Sequence, residues 1–160
     1  MRVLTAVFLA LTLAPTAASP FEVAGYRSGM TVEQVRAVAL GQGLGLYAAG
    51  SNNFRIGSPD PRDARYIAFF CRNALTFVSY NIEGGFHAFA SKAVEFQGLY
   101  GPGVPSVRSE YTPNGHVSQM VLTYYLPLGE RQTVGVFVLD TNPIPSVSVT
   151  LNALAGPCPS

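Results

Sequence analysis

The chain has 160 residues, ten Lys or Arg against nine Asp or Glu, and a net charge of +1. That balance gives no support for binding nucleic acid or an anionic membrane, both of which want a basic patch. With 12% charged residues, the chain carries few of the converging ionisable groups that enzymes use, and it lacks Gly-x-Ser-x-Gly, His-Glu-x-x-His and phosphate-loop motifs.

Arg2 and the terminal amine precede an apolar run over residues 3–13, then small residues at Ala14, Thr16, Ala17 and Ala18. A run that short does not span a bilayer. It reads as a cleaved signal peptide, residues 1–18, with the cut after Ala18. No cysteine stands near the cut to take a lipid. A soluble protein of the periplasm or the secreted space is expected, with residues 19–160 as one domain and no later membrane-spanning segment.

The best-specified local structure follows. Gly25 and Gly29 lead into a helix start at Thr31, whose hydroxyl can accept from the first turn while Gln34 closes a capping box. Met30 and Val35 can close over the cap as a hydrophobic staple. Val32, Val35 and Ala39 share one face, and Gly41 and Gly43 end the helix. Tyr26 and Arg27 stand just before it as possible partner contacts.

Residues 42–65 are rich in Gly, Asn, Pro and Ser and read mostly as loop, with short strands possible at 44–47 and 54–56. Asp60 and Asp63 look like turn formers in a proline loop rather than calcium ligands. Residues 66–71 and 75–80 then form a hairpin, turned at Arg72-Asn73-Ala74, where Asn73 tolerates a left-handed conformation. The first of these strands is apolar at nearly every position, which predicts a central strand covered on both faces.

A second helix is predicted over 86–100, with Phe86, Phe89, Ala90, Ala93, Phe96 and Tyr100 as its apolar stripe. His87, Ser91 and Glu95 lie at four-residue steps on the opposite face. A catalytic triad needs its members to converge on one point, so this row reads as a solvated surface. Strands are expected at 107–112, 116–126, 131–140 and 146–152, the first pair joined by Pro113-Asn114-Gly115. The alternation over 146–152 buries one face and wets the other.

The resulting fold class is α+β, two helices packed on an antiparallel sheet in the order αββ-αββββ. Each half has a helix ending in Gly-x-Gly followed by aromatic-rich strands, so the halves rhyme. Cys71 and Cys158, the two cysteines of the chain, are expected to form a disulfide in an oxidising compartment. A loop that long is worth roughly 4–5 kcal/mol in the chain-entropy model.

The run Gly25-x-x-x-Gly29-Met30-Thr31-x-x-x-Val35, closing near Leu40-Gly41, resembles the start of the SmpA/OmlA type of outer-membrane-assembly lipoprotein (BamE). The helix-then-hairpin pattern is also similar to the β-lactamase-inhibitor protein, whose fold is a tandem repeat of such units. The likeness spans residues 22–45 by motif and 22–152 by element order. It implies an envelope protein that binds another protein through its sheet or loops.

Three functions follow as expectations. The first is an exported binding or inhibitor-like module without intrinsic catalysis, cofactor or metal, whose partner is another envelope or secreted protein. Tyr111, Tyr124, Tyr125 and Phe137 join Tyr26 and Arg27 as its candidate contacts, since aromatics dominate interface energetics. The second is a small exported enzyme using His87 or His116. The third is a structural or assembly accessory of the envelope.

Overall fold

The structure, a computed structural model, describes residues 21–113, 115–126, 131–139, 142–153 and 158. The expected signal peptide and its cut after Ala18 lie outside these residues.

A two-stranded ribbon, β1 (Glu22–Val23) and β2 (Tyr26–Arg27), precedes helix α1 (Val32–Gly41). Strands β3 (Gly45–Ala48) and β4 (Asn53–Gly57), a 3-10 turn (Pro61–Asp63), β5 (Ala64–Cys71) and β6 (Ala74–Ile82) follow. Helix α2 (Gly85–Tyr100) then leads into β7 (Val104–Thr112), β8 (Gly115–Tyr125), β9 (Arg131–Leu139) and β10 (Asn142–Asn152). The fold is therefore mostly β, and the expected α+β order αββ-αββββ is corrected. Four strands follow α1 where two were expected, and a ribbon precedes it.

The Gly- and Asn-rich segment read mostly as loop holds the two further strands, close to the positions 44–47 and 54–56 where short strands were possible. Leu46, Phe54 and Ile56 sit at alternate positions of β3 and β4 and pack with the core, so burial of one side of each strand outweighs the low strand propensity of the glycines and asparagines around them. Asp60 and Asp63 serve the turn between β4 and β5. Asp60 caps it by accepting from the Arg62 amide at 2.9 Å, and Asp63 accepts from the Ser58 hydroxyl at 3.0 Å. The Arg62 side chain, then its amide, hold the Asp60 carboxyl below the usual range, with Arg55 adding to the effect.

Eight strands form one antiparallel sheet in the order β3-β4-β5-β6-β10-β9-β8-β7. Each half is a helix followed by a four-strand meander, and the last strands of the two meanders pair in the middle of the sheet. The rhyme between the halves in the sequence thus has a structural counterpart.

Helix α1 starts as its chemistry dictates. Thr31 Oγ1 accepts from the Gln34 amide at 3.3 Å, and Gln34 Oε1 accepts from the Thr31 amide at 2.8 Å. The preceding loop is bonded to the start of β6. The Gly29 amide donates to the Leu75 carbonyl at 2.8 Å and the Leu75 amide to the Met30 carbonyl at 2.7 Å. Gly29 has φ +83° there, which glycine adopts at no steric cost. The β5–β6 turn has φ of 50° at Arg72 and 62° at Asn73, the positive pair that a two-residue hairpin of this hand requires. Asn73 Oδ1 accepts from the Val32 amide at 3.3 Å, locking the turn to α1.

The core lies on one side of the sheet. Leu46, Ile56, Ala68, Val78, Val149, Leu122 and Tyr124 all stand at positions of one strand parity, and Val35, Ala39, Phe89 and Phe96 of the two helices pack over that face. This corrects the expectation for β5. It is central, paired to β4 and β6, but covered on one face only: Ala68 is fully buried while its neighbour Ile67 is 41% exposed. In α2 the stripe holds at Phe89, Ala93, Phe96 and Tyr100, whereas Phe86 and Ala90 turn outward. The expected disulfide is present, Cys71–Cys158, with Cα atoms 5.6 Å apart across a separation of 87 residues. It fastens Cys158 to the end of β5.

Candidate functional site

A strand with one buried face presents its alternate residues on the other. The register shows what that second face carries. One row runs across the sheet through Tyr47, Arg55, Ile67, Ser79, Thr150, Thr133, Thr123 and Val104. Among the described residues neither helix packs on this face, and no member of the core cluster lies on it. Its centre is hydroxylic. Ser79 Oγ lies 3.2 Å from Ser148 Oγ and 3.1 Å from Thr150 Oγ1. Thr and Ser suit such a surface because they fit the pleat while remaining wet.

Toward the β7 side the face holds a depression of about 340 Å³ lined by Val104, Ser106, Arg108, Thr123, Tyr125, Arg131, Thr133, Thr150 and Asn152. The ion pairs among the described residues are Arg27–Glu22, Arg62–Asp60 and Lys92–Glu95. Arg108 and Arg131 belong to none of them, so this cup is cationic at its rim and hydroxylic at its floor. Arg55 stands on the same face near the far edge, with its Nη1 buried and without a hydrogen-bond partner among the described residues. Such an arrangement can accept carboxylates by guanidinium hydrogen bonds and further polar groups by hydroxyls.

Of the six residues expected to touch a partner, the five whose side chains are described do not converge. Tyr26 is fully buried: its ring meets Tyr66 edge-on at 5.3 Å and its hydroxyl donates to Gln42 Oε1 at 3.2 Å. Tyr124 is also core, its hydroxyl donating to the Ala93 carbonyl at 2.9 Å and its ring edge-on to Phe96 at 5.5 Å. Both are corrected from contact residues to packing residues. Arg27 is exposed and paired to Glu22 at 2.9 Å on the β1–β2 ribbon. Tyr111 is exposed at the far end of β7, its ring 4.7 Å from that of His116 and tilted by 43°. Only Tyr125 lies in the cup. Phe137 stands in β9 opposite Gln119 and Ser146; its side chain lies outside the described residues.

His87 is exposed on α2. His116 Nε2 lies 2.7 Å from Ser109 Oγ on the outer hairpin. The strongly shifted groups are tyrosines of the helix-covered face. Burial, then the neighbouring Tyr66, pushes Tyr26 up to about 12. Burial, then Glu95 and Tyr66, pushes Tyr80 up to about 12. Burial also raises Tyr124. These shifts follow from packing.

Sequence reading missed Arg108, Arg131 and the threonines between them. Their signal was the polar alternation Thr123-x-Tyr125 and Ser148-x-Thr150-x-Asn152. It shows that a face is wet, but not which strands lie side by side. No protein-family model, curated protein or solved structure matches this chain.

Proposed function

We propose that this chain is an exported binding module, inhibitor-like in its action, that receives another envelope or secreted protein on the uncovered face of its sheet. The observation that carries this reading is the cup: two arginines without an ion pair among the described residues flank a hydroxylic floor on a sheet face that no described element covers. The partner surface it suits is a loop bearing carboxylates, with Arg131 as the charged anchor and Tyr125, 60% exposed, as the apolar contact. Export is supported by the signal-like N-terminal run and by the Cys71–Cys158 disulfide.

A photo-crosslinking residue at Thr133 tests this in whole envelope extract, with a second at Leu40, exposed on α1, as control. The expected result is one saturable protein adduct at position 133, absent at position 40 and lost with Arg131→Glu or in high salt. The same adducts at both positions, or none at 133, would reject the reading. The enzyme alternative draws on the Ser109–His116 contact; covalent labelling of Ser109 by a fluorophosphonate would favour it.

A further inference from the structure

The two edges of the sheet differ. One is β3, four residues long and packed by α1. The other is β7, nine residues long and, among the described residues, paired to β8 alone. A long exposed edge is a template for another strand unless something blocks it. Helix α2 packs over β8, β9 and β10, so the helix layer stops short of this edge. Val107 and Tyr111, on the helix side of β7, are left 75% and 89% exposed.

We infer that β7 pairs antiparallel with β7 of a second copy of this chain, about a two-fold axis through Ser109. This inference rests on the edge; in the dimer Arg108 is engaged by Glu110 of the other copy, which leaves Arg131 as the cup's free cation among the described residues. Its support is the sequence of β7 set against itself. With Ser109 on the axis, Arg108 faces Glu110 of the other copy and Glu110 faces Arg108. Val107 faces Tyr111 on the helix side, and Pro105 faces Pro113 at either end. Neighbouring registers of the same parity put Arg108 against Arg108 or Glu110 against Glu110, so charge selects the register through Ser109.

The backbone agrees. An edge proline keeps its donorless nitrogen on the solvent side, and Pro105 is paired opposite Leu122 within the sheet. The outward backbone groups are then those of Val107, Ser109 and Tyr111. These give about six main-chain hydrogen bonds across the axis. The two prolines, unable to donate, close the ladder where it ends.

The pairing is isologous and closes on itself, giving a dimer rather than a filament. It covers Val107 and Tyr111 and joins two uncovered faces into one continuous surface. Each protomer already shows this mode internally, where the end strands β6 and β10 of its two meanders pair edge to edge.

Ser109→Cys tests the geometry. Directly paired Cα atoms lie about 4.5–5.5 Å apart, within disulfide reach, and the native cysteines are already bonded to each other. The expected result is a disulfide-linked dimer under mild oxidation, with none from Val94→Cys on the outer side of α2. Sedimentation across a concentration series gives the second readout. Arg108→Glu or Glu110→Arg alone weakens the dimer about tenfold, since each change acts twice across the axis. The double exchange restores it. A chain that sediments as a monomer throughout overturns the inference. So does a dimer that ignores both charge changes and does not crosslink at position 109.

Discussion

Tyr124 and Tyr125 are neighbours on β8, yet one is 2% exposed and the other 60%. The pleat sends Tyr124 beneath α2, where its hydroxyl meets a helix carbonyl, and Tyr125 onto the uncovered face. The contrast holds for the whole sheet. One side is an apolar layer fixed by two helices, and the other is a hydroxyl and arginine surface. Stability resides on the first, and the proposed recognition of a partner is assigned to the second.

The strongest break of this comparison is at Tyr124. Replacing it with Ala removes a ring packed on Phe96, and on Gly103, where an added Cβ would come within 2.8 Å of the Tyr124 ring. It also leaves the Ala93 carbonyl without that donor. Loss of a buried aromatic costs about 3–5 kcal/mol, a large share of a domain's stability. Denaturant unfolding is expected to show this as a lowered midpoint. A loss below about 1 kcal/mol would mean that the layer under α2 is not the core.

How far the sequence reveals this division varies along the chain. Thr31, Gln34 and Gly41 marked α1 because capping is local chemistry and depends on residues a few positions apart. Arg72 and Asn73 marked a hairpin turn for the same reason. The four strands after α2 were readable from their alternation. Strands β3 and β4 were obscured by the glycines and asparagines around them. Their burial depends on pairing with each other and with β5, which no local pattern reports. The choice between Tyr124 and Tyr125 was illegible for a different reason. Met120, Leu122 and Tyr124 make one apolar series in β8, and Val117, Val121 and Tyr125 make another. Period-two patterning assigns the two series to opposite faces but does not say which meets a helix. The placement of β10 between β6 and β9 brings together segments about seventy residues apart, so the cup that it completes has no signature in any one stretch of sequence.

A smaller effect sharpens the chemical side of the comparison. Tyr26 and Tyr80 keep their protons up to about 12 in the folded chain, whereas unfolded tyrosine ionises near 10. Between those values the unfolded state binds fewer protons, so stability falls as pH rises. The contribution is fully present below pH 10 and is lost through about pH 12. Denaturation midpoints at pH 8, 10.5 and 11.5 are expected to fall in that order. Tyr80→Phe should make the decline shallower, and an unchanged slope would place the alkaline loss elsewhere.

The smallest effect on stability is expected where the effect on binding is largest. Tyr125→Ala and Arg131→Glu alter a surface on which no helix sits, and substitutions of that kind usually stay within about 0.5 kcal/mol. Both variants should therefore unfold with the wild-type midpoint while losing the adduct from position 133. That separation is what a two-faced sheet requires. If Tyr125→Ala destabilised the chain as much as Tyr124→Ala, a covering element would have to lie over the second face, and the cup would be part of a core. If it changed neither stability nor crosslinking, the face would be uncovered but idle. The binding role would then pass to the β7 edge, where Tyr111 and Val107 remain the exposed apolar groups.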